Sequence, residues 1–78
     1  MTKTEFGNLE FGKKMNTIST LGQLVGQLQK DHESLLCYAV DKFFVEVIYE
    51  TETHDLLRLV VFEGGRQLDK YSNLKTEI

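Results

Sequence analysis

Residues 43–63 read FFVEVIYETETHDLLRLVVFE. Two apolar runs rich in β-branched and aromatic residues flank a polar segment, which is the pattern of two strands joined by a loop. Strand side chains alternate between faces, so a register can be judged by what it brings together. Opposing Phe43 with Val61, Val45 with Leu59 and Val47 with Leu57 makes one face wholly apolar. The same register opposes Phe44 with Val60, Glu46 with Arg58 and Ile48 with Leu56, and leaves Glu50 to His54 as the loop. A slip of one residue would mix the two sets. The stretch therefore predicts a β-hairpin over 43–63, with one face for a core and a second face that is also largely apolar.

Upstream, Ile18, Leu21, Leu24, Val25 and Leu28 recur at steps of three and four, which predicts an amphipathic helix from about Thr17 to Lys30. Thr20 with Gln23 fits a capping box, and Ser19 is an alternative cap. The helical phase can be extended through His32, Leu35 and Ala39. The preferred reading ends the helix near Lys30, makes Asp31 to Ser34 a loop and places a strand over 35–40, turning at Asp41-Lys42. Asp-Lys is a poor two-residue hairpin turn, since the favoured types want Gly or Asn. The first residues, MTKTEFGNLEFGKK, repeat Glu-Phe-Gly at a period too short for a structural repeat. They read either as an extension or as an edge strand over 4–11. Gly64-Gly65 closes the hairpin. Leu68, Tyr71 and Leu74, spaced by three, predict a short C-terminal turn or helix folding back on the sheet.

The expected fold class is α+β: one amphipathic helix on a small antiparallel sheet. Residues 1–14 form an extension or edge strand, and 15–78 a single small domain. The order of helix and then strands resembles the N-terminal half of the chaperones that serve bacterial secretion systems. That resemblance implies a role in docking a larger protein.

Composition narrows the function classes. Seventy-eight residues make one domain, which buries only about 60–65% of the surface of its unfolded chain. One cysteine, Cys37, rules out an internal disulfide, and with His32 and His54 it gives too few ligands for a closed zinc site. A net charge of −3 argues against binding nucleic acid through phosphate neutralisation. No apolar run approaches the ~20 residues needed to span a bilayer, and the first residues lack the basic flank, apolar stretch and small-residue cleavage site expected of a secretion signal. A cytoplasmic setting without membrane contact is the expectation.

No motif carries chemistry. Asp31-His32-Glu33 lacks the second histidine of a metalloprotease helix. Cys37 lies among Leu36, Tyr38 and Ala39, and a thiol in apolar surroundings is unreactive. Glu63-Gly64-Gly65-Arg66 could aim N–H groups at an anion, but without the Lys-Ser/Thr of a phosphate loop it reads as a turn. Glu46 and Glu50 on one strand would stand roughly 13 Å apart, too far for a glycosidase pair. The sequence thus predicts no catalytic residue, no cofactor and no metal. It predicts a non-catalytic protein-interaction or regulatory module that associates with itself or with a protein partner. Phe44, Ile48, Leu56 and Val60 on the second face are the expected interface, because contiguous exposed apolar patches are uncommon on free monomers. An inhibitor or adaptor, or a small enzyme with a site shared between subunits, is the alternative.

Overall fold

A computed structural model describes residues 1–64 and Tyr71. Its elements are α1 (Lys3–Gly7), α2 (Phe11–Leu21), β1 (Gln23–Lys30), β2 (Glu33–Val40), β3 (Phe43–Glu50) and β4 (Leu56–Phe62). The four strands form one antiparallel sheet in the order β1-β2-β3-β4, with the helices on one side of it. This is the α+β arrangement expected of the sequence, with the 35–40 strand inside β2.

The helix lies earlier than the apolar spacing suggested. Residues 4–11 form no edge strand: α1 begins at Thr2, whose hydroxyl accepts from the Glu5 amide (3.1 Å) while the Glu5 carboxylate accepts from the Thr2 amide (2.7 Å). The reciprocal bonds satisfy two amide donors that a helix start leaves open. α1 places Phe6 in the core with its ring 5.5 Å from that of Phe43. α2 then runs from Phe11 and ends at Gly22, whose amide donates to the Ile18 carbonyl as the chain turns extended. Thr20, expected at a helix start, sits in the last turn and bonds back to the Asn16 carbonyl.

Beyond Gly22 the periodicity of Leu24, Val25 and Leu28 comes from a bulged strand. Leu24 pairs with Tyr38 and Gly26 with Cys37, so Val25 is an extra residue. In a regular strand Leu24 and Leu28 would share a face. The bulge sends Leu24 to the helix side and Leu28, opposite Leu35, to the other. One inserted residue in an edge strand thus imitates a helical spacing.

Two-residue turns join the first three strands, and Asp31 and Asp41 open them, each with φ of 56°. Aspartate is among the few residues that adopt the left-handed region readily, so Asp41-Lys42 makes the turn without glycine. The hairpin of β3 and β4 has the expected faces but a different register. Val45 pairs with Val61, Glu46 with Val60 and Val47 with Leu59, two residues from the expected alignment. A shift of two keeps every side chain on its face, so face patterning cannot distinguish the two registers. Phe44 stacks on Phe62 at 5.6 Å, and the two are directly opposed only in the observed register. Near the loop Tyr49 pairs with Leu56 and Ile48 with Arg58, so Leu57 is bulged out. Expected in the core, Leu57 is 46% exposed.

The helix-side core comprises Phe6, Ile18, Val40, Phe43, Val45 and Val47, with Leu36, Leu56, Leu59 and Val61 packed around it. A second cluster, Cys37, Phe62 and Tyr71, lies on the opposite face. Of the expected C-terminal turn or helix, only Tyr71 falls among the described residues.

Candidate functional site

The sheet presents two surfaces, and the structure divides the expected interface between them. Phe44 and Val60 are half-buried on the outer face, as expected of that face. Ile48 is on it as well but is 1% exposed within the single chain. Leu56 belongs to the other side: the bulge at Leu57 turns it toward the helix, where it packs against the core beside Tyr49. The four residues therefore do not form one surface.

The outer face is also not bare. Tyr71 stands on it and is 2% exposed. Its hydroxyl donates to the Glu46 carboxylate, which is buried in the middle of an apolar row. A Cβ on Gly26 would come within 2.6 Å of the Tyr71 ring, so the ring lies flush on backbone that only glycine supplies. Cys37, opposite both Gly26 and Glu46 in the sheet, has no solvent exposure beneath it. Burial first, and then the hydrogen bond to the Glu46 carboxylate, push the Tyr71 hydroxyl well above the usual phenol range. Glu46 was expected to pair with Arg58. Arg58 instead crosses β3 beside Ile48 and forks onto Glu33 with contacts of 3.1 and 3.2 Å. The signal for this was present, since a single carboxylate in an apolar row calls for a buried donor. Which donor supplies it depends on where the C-terminal segment folds, and spacing alone does not give that.

The helix side is incompletely covered. α2 leaves a cleft of about 500 Å3 against the sheet, lined mostly by Met15, Ile18, Leu36, Tyr38, Val47 and Leu56. His54, which has φ of 64° in the β3–β4 loop, stands at its edge. Three exposed leucines adjoin lining residues in the sequence or in the sheet. Leu21, at the end of α2, is 60% exposed. Leu24, opposite Tyr38 on the helix side of the sheet, is 47% exposed. Leu57 follows the lining residue Leu56.

The polar candidates stay apart. His32 lies in the β1–β2 turn, Cys37 is inside the outer-face cluster, and His54 is at the opposite side of the sheet from Cys37. Among the described residues no three His, Cys, Asp or Glu side chains converge as a metal site would require. No helix among them is long and apolar enough to cross a membrane. Comparison with protein-family models, curated proteins and solved structures returns no match to this chain.

Proposed function

We propose that the protein is a small non-catalytic interaction module that pairs with a second copy of itself across the helix side of its sheet. The observation that carries this reading is the juxtaposition of protruding leucines and an apolar hollow on one surface. Leu21 and Leu24 project where α2 meets β1, and the cleft opens beside them. A two-fold pair uses the same patch on both partners, so a surface holding both a projection and a recess is self-complementary. Each copy's Leu21 and Leu24 would enter the other's cleft.

If Leu21 and Leu24 each lost on the order of 80 Å2, burial at ~25 cal/mol/Å2 would contribute about 4 kcal/mol per subunit. The two subunits together would gain about 8 kcal/mol, inside the 4–15 kcal/mol that association costs. The pair is therefore expected to be weak and dependent on concentration. Sedimentation velocity across a wide concentration range tests this. Wild type should shift toward dimer as concentration rises, and Leu21→Lys with Leu24→Glu should remain monomeric while folding normally. A wild type that sediments as a monomer up to about millimolar concentration removes the reading, because a ~4 kcal/mol pair would be half formed there.

A further inference from the structure

The helix-side cleft holds groups that a partner's leucines would leave unused. Ser19 of α2, Tyr38 of β2 and Tyr49 of β3 line it together with the apolar residues, and His54 stands at its edge. None of these four side chains makes a hydrogen bond or an ion pair. Among the described residues no buried side-chain polar atom is left without a partner, so the two tyrosine hydroxyls are open to solvent and not sealed in the core. Hydroxyls from three separate elements thus converge, unengaged, on one apolar hollow.

The lining also limits what the hollow can hold. Among the described residues that form it there is no Lys, Arg, Asp or Glu. A charged ligand would lose its hydration there with no opposite charge to replace it. A purely aliphatic ligand would cover the hydroxyls and return no hydrogen bond. An uncharged ligand with an apolar ring body and an oxygen atom avoids both costs, and its ring matches the two tyrosine rings of the lining. At about 500 Å3 the cleft falls within the roughly 300–1,000 Å3 of small-molecule sites.

We infer that the cleft between α2 and the sheet is a binding site for an uncharged small molecule with an apolar ring body and a carbonyl or hydroxyl oxygen, the oxygen meeting the hydroxyls of Ser19, Tyr38 and Tyr49. The inference goes beyond self-pairing and shares its cleft, so that ligand and second copy exclude one another.

The experiment titrates two probes of matched shape, 2-acetylnaphthalene, a neutral ketone, and 2-naphthoate, its anionic counterpart. The protein is the full-length chain carrying Leu21→Lys with Leu24→Glu. Neither residue lines the cleft, so the site is intact in a chain that cannot pair through those leucines. Failure to bind then speaks against the site alone, and a monomeric wild type against pairing alone. Binding is read from the methyl NMR signals of Ile18, Leu36 and Val47. The ketone should shift them saturably, and naphthoate should bind at least about tenfold more weakly because its charge would be desolvated. A chain that also carries Ser19→Ala, Tyr38→Phe and Tyr49→Phe keeps the rings and loses the hydroxyls, and the ketone should bind it at least about fivefold more weakly. Ser19 is exposed on α2, so Ser19→Trp should fill the cleft and abolish binding without unfolding the chain. If Ser19→Trp does not fold by circular dichroism, Ser19→Phe takes its place. The inference is overturned if the ketone gives no saturable shift up to its solubility limit or if naphthoate binds as tightly. It is equally overturned if the hydroxyl-free chain binds the ketone as well as its parent, or if the filled cleft still binds it.

Discussion

At the scale of single residues, Gly26, Glu46 and Tyr71 act as one unit. Gly26 leaves room for the ring, and the ring brings a hydroxyl donor to the buried Glu46 carboxylate. Tyr71→Phe should therefore lower stability by about 1.5–3 kcal/mol, the usual worth of a hydrogen bond to a charged group. Gly26→Ala should cost about 1–3 kcal/mol, because its Cβ would meet the ring at 2.6 Å and the ring or strand must shift. Urea unfolding checks both. The decisive comparison is Gly26→Ala in a Tyr71→Ala background: with no ring to strike, the penalty should vanish. A full penalty there would place the strain in β1 itself. Half of this unit was legible beforehand. The isolation of Glu46 among Phe44, Ile48 and Val60 announces a polar group needing a partner. Arg58 was the nearest candidate by chain pairing, and Tyr71 won because it can bury its ring while donating. Gly26 looked like a helical glycine because its role depends on a residue 45 positions away that no local pattern reveals.

At the scale of elements, the strands were legible by face and not by register. Alternation assigned Phe43, Val45 and Val47 to the core correctly, since a strand with one buried face states its parity in every second residue. Parity is unchanged by a shift of two, so the Phe44–Phe62 stack had to be observed. Bulges are the other failure. Each adds one residue and reverses parity beyond it, which turned β1 into an apparent helix and exchanged the roles of Leu56 and Leu57. The exchange has a testable consequence. Leu57→Lys should change stability by no more than about 0.5 kcal/mol, as for other exposed positions. Leu56→Lys should destabilise by several times that, since a charge would be placed against the helix-side core. Thermal melts of the two variants decide it, and the opposite ranking would mean that β4 pairs in the register read from alternation alone.

At the scale of the whole molecule, two short helices must cover one face of a four-stranded sheet. α2 has eleven residues and an isolated helix of that length is marginal in water, so α2 depends on the sheet for its own stability. It covers the sheet incompletely, and the cleft beside Leu21 and Leu24 is what remains. A partner seated there would stabilise α2 and the sheet together, because anything that binds only the folded state raises its apparent stability by mass action. The melting temperature of wild type should therefore rise with protein concentration. For a pair, a hundredfold increase adds about 1.4 kcal/mol per chain at most, which for a domain of this size corresponds to roughly 5–10 °C. Leu21→Lys with Leu24→Glu should melt at a temperature independent of concentration, near that of wild type at high dilution, because both positions are exposed in the single chain. Calorimetry at two concentrations for each protein is sufficient. Identical wild-type curves at both would show that the helix-side leucines remain in water and that the molecule is stable without a second copy.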